Sequence, residues 1–435
     1  MTDWQGSERK PKGPLKKGWT TGACATAAAT AAYQALLTGD FPDPVSITLP
    51  RGQEPSFPLK RMELSGRQAT ASVIKDAGDD PDVTHRAEIV VTVALENSNG
   101  KNQGVRFHAG EGVGTVTRPG LALAVGEPAI NPGPRAMIEA VIEGLTRKYG
   151  NAQGGSVDVT IAIPGGEKLA EKTLNGRLGI EGGLSILGTT GVVIPYSCSS
   201  WIHSIHRGID VARASGHGHL AAATGRTSES AVQKILGLED TALIDMGDFA
   251  GGLLKYLRKN PVEKLTLAGG PGKIAKLAQG AMDLHSSKSR VDMGALADML
   301  SSLGAKPKTV EAVKDATTAG EALEAARAEG LALGDTIARQ AREVALATLA
   351  GDTEVEVLKY GLFAVSVERD VELLSELLSL LLSCAVTEIE VHHGEKQANN
   401  DQHHHNFNQC KTALLHADQI SRLLMSAASP SPPSA

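Results

Sequence analysis

Hydrophobic and polar positions alternate in short segments along the first half of the chain. These segments lie between turn residues at 45–49, 69–74, 87–95 and 157–163. Such alternation is typical of strands in a mixed or antiparallel sheet. Before them, Thr20 or Thr21 can cap a helix over 23–37 whose residues are mostly alanine. The first half is therefore predicted to be α+β.

From about residue 218 the pattern changes to apolar runs that alternate with helical segments. The apolar runs lie at 220–223, 241–246 and 264–268, and the helical patterns at 228–236, 249–257 and 273–282. This alternation predicts a parallel sheet with covering helices. Residues 295–349, rich in Ala, Glu, Leu and Lys, should be helical, and 354–367 return to a strand-like pattern.

These patterns predict an N-terminal mixed-sheet α+β domain and a C-terminal parallel-sheet α/β domain. The expected limits are a mobile lead at 1–17, the α+β domain at 18–217, the α/β domain at 218–370 and an appendage at 371–435. The appendage combines a leucine-rich helix with a histidine-rich tail that ends in Ser and Pro.

Composition narrows the class of protein. With 435 residues, 41% of them hydrophobic, the chain can bury two sizeable cores. The lack of a long apolar stretch and of a secretory signal predicts a cytoplasmic protein with no membrane partner. A net charge of −6 and 3% aromatic residues argue against a nucleic-acid partner. The four cysteines have no CxxC spacing, which favours reduced thiols over a zinc site or disulfides.

A glycine-rich run at 175–197 is the strongest candidate for ligand binding. Such a run leaves backbone open to close approach, and the N–H groups near Gly188, Thr189 and Thr190 can point at carboxylates. Arg177 supplies fixed positive charge beside them. The alternative is a tight connection packed under a sheet.

A loop at 76–85 places four carboxylates and an imidazole within ten residues. Neighbouring carboxylates raise one another's pKa, a strain that is usual at functional sites. Asp76 and His85 are therefore candidates for catalysis, although the spacing fits no calcium loop and a solvated turn would look similar.

Two further segments in the first half carry polar candidates. The proline-braced stretch 128–135 would hold Asn131 and Arg135 still before a helix, and a fixed arginine suits carboxylate recognition. The stretch 110–117 resembles a dinucleotide loop, but it lacks the strand–loop–helix setting of one.

In the second half, candidate cofactor residues follow three predicted strands. They are Thr224 and Gly225, then Asp245, Gly247 and Asp248, and finally Gly269 and Gly272. Ligands of open α/β sheets bind at the carboxyl ends of the strands, where an acidic residue can accept hydrogen bonds from ribose hydroxyls. These residues could therefore bind an adenosyl group, although plain turns between strand and helix would look similar.

Six strings together identify a family resemblance. They are GWTTGACATAAATAA, DAGDDPDVTH, GEGVGTVTRPGL, GEPAINPGPR, IPGGEKLAEKTLNGRLGIEGGLSILGTTG and TGRTSE. In this order they resemble the cobalt-precorrin-5B C1-methyltransferase family of anaerobic cobalamin biosynthesis, over roughly residues 17–368. The resemblance implies transfer of a methyl group from S-adenosyl-L-methionine to C1 of cobalt-precorrin-5B, which gives cobalt-precorrin-6A. It also implies a fold unlike that of the usual corrin-ring methyltransferases.

The resemblance gives the candidate residues roles. Substrate binding is expected from Thr20, Thr21, Asn131, Arg135, Arg177, Gly188, Thr189 and Thr190. The corrinoid is expected over 176–191 and 76–85, and the methyl donor at the strand ends of the second half. Cobalt arrives with the substrate, so no protein-bound metal is expected, while a homo-oligomer is possible. Arg86 and Gly270 depart from the family, where Gly and His are expected, and nothing after residue 370 matches it.

Several alternatives stay open. A general base could be His85, Asp76 or His203. A non-catalytic corrinoid or metal carrier that uses the histidine-rich tail, and a dinucleotide-dependent oxidoreductase, are the rival functions. The oxidoreductase requires a strand–GxGxxG–helix unit followed by an acidic residue, which is absent from the sequence.

Overall fold

The computed structural model describes residues 13–96, 104–150 and 156–359. These residues belong to one compact unit, Met1–Val365. None of the helices in the described ranges is long and apolar enough to cross a membrane. The helix and tail predicted at 371–435 lie outside the described residues.

The described residues form fifteen strands and eleven α-helices. The strands are β1 (Gly18–Trp19), β2 (Val45–Ser46), β3 (Ser56–Phe57), β4 (Leu59–Ser65), β5 (Gln68–Ile74), β6 (Glu88–Glu96), β7 (Val105–Ala109), β8 (Thr115–Val116), β9 (Ser156–Ala162), β10 (Ile180–Glu181), β11 (Val192–Val193), β12 (His219–Ala223), β13 (Leu243–Asp245), β14 (Lys264–Gly269) and β15 (Glu354–Lys359). The helices are α1 (Thr21–Thr38), α2 (Pro132–Tyr149), α3 (Gly166–Ala170), α4 (Cys198–Ala214), α5 (Arg226–Leu236), α6 (Ala250–Leu257), α7 (Pro271–Ala278), α8 (Met293–Ser302), α9 (Pro307–Lys314), α10 (Ala319–Ala328) and α11 (Leu333–Leu349).

The alanine-rich helix α1 forms where the sequence predicts it. Thr20 Oγ1 accepts a hydrogen bond from the N–H of Ala23 at 3.1 Å, and Gly39 ends the helix in a left-handed conformation. Most of the helix is buried, and its methyl-sized side chains let α2 and the strands behind it approach closely.

The first sheet is mixed, as predicted. Its strand order is β4-β5-β6-β9-β7, and all pairs are antiparallel except β7 with β9. The sequence analysis missed the edge strands β4 and β7: β4 is exposed almost throughout, and β7 is only five residues long, although its apolar residues alternate with Arg106 and His108. Of the segment predicted at 45–49, only Val45–Ser46 pairs as a strand.

The second sheet is fully parallel, with strand order β13-β12-β14-β15. One face carries Leu220, Ile244 and Leu267, which join the core formed with the surrounding helices. Helix α4 contributes Ile205 and Ile209 to this core, although it precedes residue 218. The second core therefore recruits a helix from upstream of the predicted domain limit.

Candidate active site

The glycine-rich run crosses the N-termini of two helices. Thr21 Oγ1 accepts from the N–H of Leu187 at 3.0 Å, and the N–H of Gly22 donates to the Leu187 carbonyl at 3.0 Å. On the α2 side, a Cβ built on Gly133 would lie 3.2 Å from the Cα of Thr189. The first turns of α1 and α2 therefore meet the same short segment.

Close approach explains the glycine at position 188. Its φ is +121°, and a Cβ there would lie 2.3 Å from Thr20 Oγ1. Thr20 in turn donates its N–H to the carbonyl of Gly191 at 3.0 Å. Any larger residue at 188 would push the segment off the helix end.

This arrangement suits an anionic ligand with an apolar body. The N-terminal ends of two helices of 18 residues each carry partial positive charge that favours carboxylates. Beside them, the side chains of Leu187 and Ile194 are 52% and 55% exposed. The structure thus brings six predicted substrate residues together: Thr20, Thr21, Asn131, Gly188, Thr189 and Thr190. Thr20 and Thr21 are themselves buried, at 7% and 3% exposed, and lie beneath the run.

Arg135, predicted to bind a substrate carboxylate, makes hydrogen bonds within its own loop. Its Nε donates to the carbonyl of Ile130 at 2.7 Å, and its Nη2 lies 3.2 Å from Glu127 Oε2. The guanidinium therefore braces the loop before α2. Asn131 occupies the N-cap position of α2, where its side chain makes no capping hydrogen bond.

Arg177 is bound to the second half of the protein. Its two terminal nitrogens donate to both oxygens of Glu229 on α5, at 2.8 and 2.5 Å, and both side chains are largely shielded from solvent. Arg177 also lines a narrow cleft with Asp245 and residues of α4. The ion pair between Arg177 and Glu229 therefore links the glycine-rich run to the carboxyl edge of the parallel sheet.

The carboxylates of the loop 76–85 all have partners. Asp76 Oδ2 lies 2.6 Å from Lys16 Nζ, Asp79 accepts from the N–H of Lys16, and Asp80 accepts from the N–H of Tyr196. Asp82 pairs with Lys75 at 2.6 Å. Lys16, predicted within a mobile lead, is thus bound to this loop.

The pKa values in this loop differ from the expected uniform rise. The hydrogen bond from Lys16 and that from Gly78 lower the pKa of Asp76. Burial opposes ionisation of Asp82, but the Lys75 ammonium and the Thr84 hydrogen bonds outweigh it and lower its pKa. The pKa of Asp80 is raised, by burial and by the charge of Asp82. The Asp76 carboxylate is therefore held by the Lys16 cation, and its lowered pKa makes it a weak base.

The imidazole of His85 has a defined hydrogen-bonding role. Its Nδ1 accepts from the N–H of Ala77 at 3.1 Å, and lies 4.0 Å from Asp76 Oδ1. In the neutral ring the proton then resides on Nε2, which makes His85 a donor through that nitrogen. The third candidate base, His203, lies on α4 with its ring 6.2 Å from that of His206, outside this loop.

The seven candidate cofactor residues lie together at the carboxyl edge of the parallel sheet. Thr224 follows β12, Asp245 ends β13, and Gly269 ends β14. Because β12 lies between β13 and β14, the chain reverses direction across the sheet between β12 and β14. Ligands of doubly wound sheets bind at such a reversal.

Lys273 connects the loops on the two sides of this reversal. Its Nζ donates to the carbonyl of Thr224 at 2.8 Å and lies 3.1 Å from Asp248 Oδ1. The contact with Asp248 is not aligned as a hydrogen bond, so this buried oxygen accepts none from the described part of the chain. Burial, followed by the charge of Glu229, raises the pKa of Asp245.

The start of α4 lies between the loop 76–85 and the candidate cofactor residues at the end of β13. Tyr196, just before the helix, adopts φ +56° and donates its N–H to Asp80. One turn later, the indole nitrogen of Trp201 lies 3.3 Å from the Cβ position of Gly247. The loop 76–85 and the end of β13 are thus linked through a few residues of chain.

Comparison with known proteins identifies the family. The family model described as CbiD matches residues 7–195, and the model of the CbiD C-terminal domain matches residues 283–362. A Bradyrhizobium protein named cobalt-precorrin-5B C(1)-methyltransferase is 58% identical over 341 residues, which cover 78% of this chain and 89% of the relative.

The chain belongs to the CbiD family.

A Brucella anthropi protein of the same name is 54% identical and covers 79% of this chain and 92% of its own. A crystal structure titled cobalamin biosynthesis protein (cbiD) from Archaeoglobus fulgidus is 24% identical and covers 74% of this chain and 86% of its own, with a TM-score of 0.34.

The two departures from the CbiD pattern are accommodated locally. Arg86, where Gly is expected, adopts φ +67°, a conformation that glycine occupies without strain. A Cβ at Gly270, where His is expected, would meet no atom within 4 Å among the residues that the structure describes, so the position has room for a side chain there.

For this CbiD family member, the sequence analysis assigned no role to three residues: Lys16, Lys75 and Glu229. Lysine and glutamate are common at the surface and give no local signal. Only Lys75 had a local signal in the sequence, because it directly follows the apolar strand β5.

Proposed function

We propose that this protein transfers a methyl group from S-adenosyl-L-methionine to C1 of cobalt-precorrin-5B and forms cobalt-precorrin-6A. The observation that carries the proposal is the 54–58% identity to proteins named for this reaction, over 89–93% of their length. The convergence of the candidate residues on two linked surfaces supports it.

The residues at the carboxyl edge of the parallel sheet fit the methyl donor. Asp245 and Asp248 offer oxygens to hydroxyl and ammonium groups, and Asp248 Oδ1 already lies 3.1 Å from the Lys273 ammonium. The α5 N-terminus after Gly225 suits a carboxylate. The donor supplies a methyl group on a sulfonium centre, whose positive charge makes the sulfur a good leaving group.

The surface formed by the helix ends and the glycine-rich run fits a polycarboxylated macrocycle. The dipoles of its two helix ends favour carboxylates, while Leu187 and Ile194 can contact the apolar ring. This charge distribution suits a chain with a net charge of −6. Arg135 and Arg177 act behind this surface by holding its parts in place.

The main task of the protein is then alignment. The ring carbon provides the electron pair of the new bond and the C–S pair stays on sulfur, so no protein nucleophile is needed. Through Arg177 and Glu229, the glycine-rich run is fixed relative to the sheet edge, which sets the distance between the two ligands. His85 contributes an Nε2–H donor toward the substrate.

The test is incubation of the purified protein with S-adenosyl-L-methionine and cobalt-precorrin-5B, followed by mass spectrometry. We expect the corrinoid to gain one methyl group, with S-adenosyl-L-homocysteine in equal amount. Binding of the corrinoid without a mass gain would instead indicate a carrier.

The cofactor site is tested with Gly272→Val. A Cβ at Gly272 would meet no atom of the described residues within 4 Å, so valine projects into the proposed ligand space without a clash with them. Calorimetry should show weaker binding of S-adenosyl-L-methionine. Gly320→Val is the matched control, because Gly320 is also the second residue of a helix and a Cβ there would make only an ordinary contact, 3.6 Å from Thr318 Oγ1. Equal affinity in both variants would move the cofactor site elsewhere.

A further inference from the structure

A lysine that is almost completely buried lies beneath the loop 76–85. The side chain of Lys75 is 1% exposed, and its Nζ donates to Asp82 Oδ2 at 2.6 Å. Replacement of such a pair by apolar residues is often neutral or stabilising, because desolvation offsets the attraction between the charges. Stability alone therefore does not account for a lysine at this position.

Lys75 and Asp82 are connected to His85 from both sides. Asp82 Oδ1 accepts from the N–H and the hydroxyl of Thr84, at 2.7 and 2.6 Å, and the Asp82 carbonyl accepts from the N–H of His85. At the next residue along the chain, the N–H of Arg86 donates to the carbonyl of Lys75 at 2.9 Å.

The backbone around His85 needs this support. Arg86 is held at φ +67°, which is unfavourable for a residue with a side chain. The imidazole itself is 36% exposed, and its hydrogen bond from the N–H of Ala77 depends on the loop keeping its shape. Strained residues of this kind persist where their surroundings over-determine them.

We propose that Lys75 is a positioning residue that acts through Asp82 to hold the His85 ring in one orientation, with its proton on Nε2. The proposal rests on the proposed function, in which this N–H faces the substrate. Without the ammonium group, the half-buried Asp82 carboxylate would turn toward water and release Thr84, and His85 would lose its fixed orientation.

The kinetic test compares Lys75→Met, Asp82→Asn and the double variant. Each single change leaves a buried group without its partner and should lower Tm, while the double variant removes both charges and should regain most of it. We expect kcat of the double variant to stay about 100-fold below wild type, with a smaller change in KM, because alignment is lost. Wild-type kcat in the double variant would overturn the proposal.

The control is Lys264→Met with Glu354→Gln, an ion pair at the amino ends of β14 and β15. It should leave kcat unchanged.

A second measurement does not depend on turnover. Nitrogen-15 NMR of the wild-type protein, with the His85 signals assigned through His85→Gln, should show an unprotonated Nδ1 and a protonated Nε2. The double variant should show a mixture of the two tautomers. A wild-type ring already in that mixture would overturn the proposal, and absence of methyl transfer would refute the proposed function without affecting this result.

Discussion

The sequence analysis predicts that Arg135 and Arg177 bind carboxylates of the substrate. In the structure, both guanidinium groups have partners within the protein. Arg135 donates to a backbone carbonyl of its own loop, and Arg177 binds Glu229 with two hydrogen bonds. The sequence identified the residue types, but the pairing of positions 177 and 229 depends on tertiary contacts that no local pattern encodes. The same holds for Lys75 and Asp82.

Arg86 offers a test of the local backbone. Its φ of +67° costs about 1 kcal/mol for a residue with a Cβ. We expect Arg86→Gly to raise the free energy of unfolding by about that amount in urea denaturation. Arg86→Ala keeps the Cβ and should bring no such gain; an equal gain from both variants would assign the effect to the lost guanidinium.

Asp82 should make stability depend on pH in the acid range. Its pKa in the folded protein is lowered, from about 3.9 in the unfolded chain. The pair thus stabilises the fold fully above that value, and the contribution is lost as pH falls through the folded pKa. In urea titrations below about pH 5, Asp82→Asn should show a shallower pH dependence than wild type. Asp40→Asn, at an exposed carboxylate, should match the wild-type slope, and an unchanged slope in Asp82→Asn would contradict the assignment.

At the scale of elements, the glycine-rich run and the two helix ends form a single surface. The sequence predicted α1 well because its cap and its alanine content are local features. It also predicted that the glycine-rich run binds a ligand. What it could not provide was the partner of that run, since Gly188 contacts Thr20 across a sequence separation of more than one hundred residues.

Leu187 tests the apolar part of this surface. Its side chain is 52% exposed, so Leu187→Ser should fold normally. Loss of about 1 kcal/mol of apolar contact should raise the KM for the corrinoid about fivefold with little change in kcat. Leu64→Ser, on the edge strand β4, removes a similarly exposed leucine and should leave KM unchanged. A normal KM in Leu187→Ser would exclude this residue from the substrate surface.

For the whole molecule, the Arg177–Glu229 pair joins the glycine-rich run to the parallel sheet. Arg177→Glu alone and Glu229→Arg alone should each lower kcat/KM by about tenfold, or about 1.4 kcal/mol, because like charges then face each other. The double reversal should recover most of the loss, which steady-state kinetics can measure. Failure of the reversal, with the fold intact, would return Arg177 to a direct role in substrate binding.

The most direct test of the central claim uses S-adenosyl-L-methionine labelled with carbon-13 in its methyl group. After incubation of the protein with this donor and cobalt-precorrin-5B, NMR of the isolated corrinoid should show one labelled methyl group bonded to C1. Label at another ring position, or a corrinoid that stays bound but unlabelled, would contradict the account.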